Sequence, residues 1–153
     1  MTAEAELLLY FADRAQHVRE VIRPALEAGR VVISDRYVDS SIAYQVYGRG
    51  LPREDVEALA SFATDGLAPD LTLLLDVPME VGLARVEARG GRDRLEAEEP
   101  TFHARVRDGY AALIAQEPER WIRVDALGDE AQVTQRVVAV LRARGYCEEQ
   151  RVH

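Results

Sequence analysis

The sequence has no lysine: all nineteen of its basic residues are arginine. Phosphate chemistry that depends on a lysine ammonium is therefore excluded within these residues. Cysteine is nearly absent as well. Cys147 stands alone, so no internal disulfide can form and a cytoplasmic setting is expected. No apolar run approaches the length of a membrane span. The opening MTAEAELLLYF places acidic rather than basic residues ahead of its short apolar run, unlike a signal peptide. Excess positive charge is missing too. A net charge of −8 argues against a general nucleic-acid or anionic-membrane surface. His17, His103 and His153 have no ligand spacing to one another or to Cys147, which speaks against a zinc-type site. Repeats, low-complexity tracts and linkers are all lacking. What remains is a chain of 153 residues, 48% apolar and 30% charged, suited to one domain with a substantial core.

Apolar residues at Leu7, Leu8, Phe11, Ala15, Val18, Val21, Ile22 and Leu26 recur at helical spacing from Ala3 to Ala28. Thr2 is the expected N-cap and Gly29 the expected terminator. Pro24 is expected to kink or split this helix. The β-branched run Val31-Val32-Ile33-Ser34 reads as a buried strand. Asp39–Tyr47, Arg53–Thr64 after Pro52 and before Gly66, Pro78 to about Arg89, and Thr101–Ala115 read as helices. Leu71–Leu75, ending in Asp76, and Trp121–Val124 read as second and third strands. Gly90–Glu99 has no apolar period and reads as a mobile loop. Asp129-x-x-Gln132 has the form of a capping box for a last helix to Arg144, closed by Gly145. The tail from Tyr146 is expected to fray. Strands alternating with helices predict an α/β fold with a parallel sheet flanked by helices.

Chemistry concentrates in Val31–Leu51, VVISDRYVDSSIAYQVYGRGL. In open α/β folds ligands sit beyond the carboxyl ends of strands. Asp35 and Arg36 leave such an end together. They are either a metal–phosphate pair or a structural ion pair, and the two residues alone do not decide between these. Arg85 and Arg89 lie i, i+4 on one helix, and Arg92 and Arg94 follow. Four arginines in ten residues make a local positive patch in an acidic chain. It is either an anion-neutralising element or a solvated face paired with Glu87, Glu96, Glu98 and Glu99. Tyr10 by spacing alone reads as a core aromatic.

The block Asp35-Arg36-Tyr37, Ser40, Ala43-Tyr44-Gln45, Gly48-Arg49-Gly50-Leu51 resembles the signature of thymidylate kinases, DRYxxSxxAYQxxGRGL. Glu6–Arg14 resembles that family's nucleobase-binding helix, Leu71–Pro78 its fourth strand, and Gly90–Glu96 its arginine-bearing lid. The resemblance covers the whole chain in order. It implies a P-loop-kinase-like α/β domain over residues 1–153, with three recognisable strands. It implies phosphorylation of dTMP to dTDP with ATP and Mg²⁺ as co-substrate and cofactor, and a homodimer through the N-terminal helix. Residue by residue, Tyr10 would stack on thymine and Arg14 would hydrogen-bond the base. Arg36 would hold the 5′-phosphate and Asp35 would help place Mg²⁺. Ser40, Ser41 and Gln45 would line the substrate, and Tyr44 would pack under the deoxyribose. Arg92 and Arg94 would act as lid arginines, while Arg85, Arg89, Asp125 and Ala126 would border ATP.

The family's opening strand, its G-x-x-x-x-G-K-[ST] loop, the helix after it and a second strand have no counterpart in these residues. A domain N-terminally truncated in this way would lack its donor-phosphate nest and be inactive alone. The alternative is a non-catalytic dTMP-binding or dimerising remnant. The gap also leaves two strand edges open, so the strands would pair directly, another chain would fill the slot, or the fold would be marginal. Val46 stands where the family usually has glycine, and would be strained if that position needs a positive φ.

Overall fold

The computed structural model describes residues 1–90 and 94–146. By internal contacts the chain divides into two compact units, residues Met1–Asp70 with Glu98–Pro118, and residues Leu71–Ala97 with Glu119 onward.

The first unit is helical. α1 (Ala3–His17) is capped as expected by Thr2, whose hydroxyl accepts from the Ala5 N–H. It runs without a break through a π-helical turn (Val18–Ile22) into α2 (Arg23–Glu27). The wider turn gives Pro24 its place: Arg23 N–H reaches back five residues to Val18 O, and the ladder absorbs the missing donor. Pro24 therefore neither splits the helix nor stops it. The apolar stripe of this helix is buried at Leu7, Phe11, Val18, Ile22 and Ala25, as its period requires. α4 (Arg53–Thr64) ends where Asp65 and Gly66 turn left-handed, at φ 51° and 70°. Arg23 donates to the Thr64 and Asp65 carbonyls at that end, satisfying otherwise orphaned acceptors.

Between them α3 (Val38–Ser41) continues as a π segment (Ile42–Gly48). Against this segment packs α6 (Pro100–Gln116), and two glycines set the approach. A Cβ on Gly48 would lie 2.6 Å from Phe102 Cε2, and one on Gly109 would lie 2.8 Å from Tyr47 Cγ. Arg105 clamps the contact with Nε and NH2 on Gly48 O at 3.2 and 2.8 Å. Val46 lies within the π segment, and the only positive-φ non-glycine residues described are Arg36 and Asp65. The condition for strain at Val46, a positive φ, is therefore not met, because the position is helical.

Residues 31–34 form no strand, which corrects the expected strand count from three to two. Val31 and Ile33 are 63% and 84% exposed. β-Branched composition favours a strand, but a strand exists only by pairing, and no described residue offers this run a ladder.

The second unit holds the two strands that do form. β1 (Thr72–Asp76) and β2 (Trp121–Asp125) pair in parallel, with Thr72 opposite Trp121 and Asp76 opposite Asp125. α5 (Met79–Ala88) follows β1, and α7 (Glu130–Ala143) follows β2. The capping box at the start of α7 is complete: Gln132 N–H donates to Asp129 Oδ1 at 2.9 Å, and Asp129 N–H donates to Gln132 Oε1 at 3.1 Å. Trp121, Val124 and Ala126 are buried in this unit. No described helix is long and apolar enough to cross a membrane.

Candidate functional site

In the first unit the chain leaves residues 31–34 through a bend in which Ser34 Oγ donates to Arg36 O at 3.1 Å. Arg36 adopts φ 64°, a conformation that costs a non-glycine residue free energy and clusters at functional sites. The turn aims its guanidinium onto the Tyr44 ring, with Cζ 4.8 Å from the centroid. Burial works against the Arg36 charge, but Tyr44, Tyr110 and Asp35 outweigh it and raise its pKa. Tyr44 is held by two rings of α6: Phe102 at 6.1 Å, tilted, and Tyr110 at 6.4 Å, edge-on.

Arg14 projects from α1 towards the same segment. Its NH1 donates to Ser41 Oγ at 2.8 Å, and its Cζ lies 5.2 Å from the Tyr37 centroid and 5.5 Å from that of Phe11. Burial lowers its pKa, opposed by Tyr37 and Asp13. Tyr37 donates its hydroxyl to Leu67 O at 3.2 Å, and burial pushes its pKa up despite Arg14. A half-buried guanidinium between two aromatic faces, with a second, exposed one over Tyr44, suits a planar, anionic ligand. Tyr10 precedes Arg14 by one turn, on the same helical face, and is 40% exposed. Asp35 is exposed beside Arg36.

Two residues of the signature are engaged elsewhere. Ser40 Oγ and the Tyr110 hydroxyl share a hydrogen bond of 3.0 Å. Gln45 is 2% exposed and donates its amide to Glu6 Oε1 at 2.9 Å. Glu6, equally buried, also faces Arg49, whose NH2 lies 3.3 Å from Glu6 Oε2 and whose NH1 lies 2.7 Å from Glu98 Oε1. Arg49 Cζ sits 4.7 Å over Phe102. The glycine flanks of Arg49 thus mark a close packing point at Gly48 and a left-handed residue at Gly50, φ 79°. Residues that sequence reasoning passed over are Tyr110, Glu6 and Arg105. Each acts across more than thirty positions, where no local pattern could point to it.

In the second unit Arg85 donates NH2 to the carbonyls of Ala126 and Gly128, both at 3.0 Å. Arg136 of α7 donates NH1 to Asp125 O at 2.8 Å and to Leu127 O. Asp125 Oδ1 accepts from Leu127 N–H at 2.8 Å. Arg85, Asp125 and Ala126 are therefore brought together around the loop after β2. A cavity of about 620 Å³ opens there, lined among others by Leu75, Val77, Arg85, Ala126 and Thr134. Arg89 joins Glu96 through two bonds of 2.6 and 2.7 Å, so it is paired on the helix face. Arg94 lies in the turn before Glu98. Arg92 lies outside the described residues, as do Cys147 and His153.

The described residues contain no cluster of three or more His, Cys, Asp or Glu that would cage a metal. A magnesium ion carried by nucleotide phosphates needs only one or two carboxylates, and Asp35, exposed beside Arg36, is a carboxylate that could serve as one. The sequence holds no lysine and no G-x-x-x-x-G-K-[ST] loop, so the donor-phosphate nest of that motif is not among these residues.

Parallel strands joined through helices, with helices flanking them, are the α/β architecture of P-loop-type kinases. Among these the chain belongs to the thymidylate kinase family, whose sequence model matches residues 1–137. It is 56% identical over 140 residues to the thymidylate kinase of Synechococcus sp. strain JA-2-3B'a(2-13), covering 92% of this chain and 66% of that protein. Over 156 residues it is 49% identical to the thymidylate kinase of Desulfovibrio desulfuricans, covering 95% and 72%. The thymidylate kinase of Thermosynechococcus vestitus is 52% identical over 139 residues, covering 91% and 58%. The chain thus spans roughly two thirds of the length of these relatives.

Proposed function

We propose that the first unit is the acceptor-nucleotide half of a site for phosphoryl transfer from ATP to dTMP, with dTDP as product. The observation that carries this reading is Arg36, held at φ 64° with its guanidinium 4.8 Å over Tyr44. Backbone strain maintained to aim a charged group is a mark of a functional position. In this reading Arg36 binds the 5′-phosphate and Tyr44 packs under the deoxyribose. Tyr10 stacks on thymine, whose edge meets Arg14 and Ser41. Ser40 and Gln45 support the pocket from behind, in keeping with their bonds to Tyr110 and Glu6. Bound magnesium would neutralise phosphate charge, and Asp35 would hold it. The lid role falls to Arg94, in the turn after α5, and to Arg92. Arg85, Asp125 and Ala126 border the ATP side, and Arg89 joins them only by releasing Glu96.

Phosphoryl transfer is mostly positioning and charge neutralisation of the triphosphate. With no lysine in the sequence, the chain by itself is expected to bind dTMP without turning it over. Calorimetric titration with dTMP and a coupled ADP-release assay test both parts. Absence of dTMP binding refutes the acceptor site, and turnover like that of an ordinary kinase refutes the inactivity. A second reading, a dimerising module, is supported by Leu8, Leu9 and Val21, exposed at 54%, 59% and 52% along one continuous helix. Sedimentation equilibrium tests it: a monomer at high concentration rejects it.

A further inference from the structure

Tyr110 lies on α6, remote in sequence from the signature, yet it touches that segment twice. Its hydroxyl bonds Ser40 Oγ at 3.0 Å, and its ring meets the Tyr44 ring edge-on at 6.4 Å. Tyr44 in turn carries the Arg36 guanidinium. Gly109, directly before Tyr110, lets α6 approach Tyr47 so closely that a Cβ would lie 2.8 Å from its ring. The helix is thus drawn down onto the π segment at the level of Tyr110. Burial pushes the Tyr110 phenol up to about 12, so it stays protonated, a neutral partner for Ser40 throughout the physiological range.

We propose that Tyr110 is a positioning residue for the acceptor pocket: its ring fixes Tyr44 beneath Arg36 and thereby sets sugar selectivity, while its hydroxyl fixes α3 through Ser40 and supports affinity. The inference rests on the acceptor-site reading above. A wall that discriminates between deoxyribose and ribose must hold its ring against displacement by one oxygen atom. Tyr44 alone has rotamer freedom, and the edge-on ring of Tyr110 removes it.

The test is calorimetric titration of the whole chain and of Y110F, Y110L, S40A and Y110F/S40A with dTMP and with its ribose counterpart, 5-methyluridine 5′-monophosphate. Thermal melts run alongside. Y110F keeps the ring, and should weaken dTMP binding about 3- to 10-fold while keeping the preference for the deoxy sugar. S40A should match it, and the double variant should lose no more than either single one, because both delete the same bond. Y110L should lose the preference itself. The inference is overturned if Y110L keeps the wild-type preference, or if affinities for both sugars fall together in step with the melting temperature. Failure of the unaltered chain to bind dTMP would refute the acceptor reading instead. The NMR resonance of the Arg36 Nε–H, which needs no ligand, then decides on Tyr110 alone. It should shift in Y110L, and an unchanged resonance rejects the positioning role.

Discussion

The two units use similar helices and bury them differently. In the first, α1, α2, α4, α6 and the π segment all contribute buried apolar side chains. In the second, neither α5 nor α7 contains a buried residue, and among the described residues only Trp121, Val124 and Ala126 form a buried apolar group. A two-stranded sheet is marginal by itself, and Leu75 on β1 remains 53% exposed. Arginine fills contrasting roles. In the first unit Arg14 is half-buried between two aromatic rings and Arg36, though exposed, lies over a third. In the second Arg85 and Arg136 hold a loop by its carbonyls. The contrast teaches that the geometry around Arg14, Arg36 and Tyr44 is supported by a packed core, whereas the loop after β2 depends on hydrogen bonds near the surface. Native-state hydrogen exchange should accordingly open the β1–β2 amides before those of α1 and α6.

The sharpest way to break the comparison is Phe102→Ala. Phe102 is 3% exposed and lies against Tyr44, Arg49 and Gly48. Its loss should destabilise the first unit by about 3–5 kcal/mol, read as a fall in the urea midpoint followed by amides of α6. If the β1–β2 amides lose protection equally, the units are not distinct in stability.

Next is Arg49→Ala, which leaves the Glu6 carboxylate buried with its guanidinium partner gone. Removing one member of a buried pair costs about 3 kcal/mol or more, and here the loss should fall on α1 and the π segment together. Glu6→Gln in the same background should recover part of it, because the neutral amide needs no counter-charge and can still meet Gln45. A double-mutant cycle by urea denaturation measures this, and additive effects would show that the pair does not matter.

These residues also mark how far the sequence could be read. Helical periodicity located α1, α4, α6 and α7 to within a few residues, and the Asp129–Gln132 capping box was legible because its partners are three residues apart. The contiguous signature also singled out Arg36, Ser40, Ser41 and Tyr44, whose contacts gather around α3 and the π segment. The strand at residues 31–34 was misread because propensity is local and pairing is not. The π turn before Pro24 escaped for a related reason: the sequence shows the missing donor but not how the helix bridges it. Tyr110 and Glu6 carry no local signal, and their roles appear only when α6 and α1 are packed against the π segment.

A smaller effect, again specific to the first unit, is alkaline sensitivity. The Tyr110 phenol is held at about 12 against about 10 in an unfolded chain. The folded state therefore keeps a proton that the unfolded state releases. The stability this gives is fully present below pH 10, declines as pH rises towards 12, and amounts to on the order of 2 kcal/mol. Tyr37 shifts in the same direction through burial and adds to the decline. Urea midpoints measured from pH 8.5 upward should fall more steeply for the wild type than for Y110F. Parallel slopes would mean that the hydroxyl is not buried as described.

The smallest expected effect probes the second unit, and it is the one that sharpens the comparison most. Asp129 caps α7 with a short side-chain bond at an exposed position, and α7 buries nothing that would compensate for its loss. Asp129→Ala should cost about 1 kcal/mol. In a well-packed unit such a change would be spread over the whole cooperative structure. Here the first turn of α7 should fray locally, and the loop that Arg85 and Arg136 hold by its carbonyls should loosen with it, because Arg136 sits on that helix. Amide exchange at Leu127 and Gln132 should therefore accelerate several-fold while exchange in α1 stays unchanged. Equal acceleration in α1 would show that the two units share one cooperative core, and the contrast drawn from burial would be wrong.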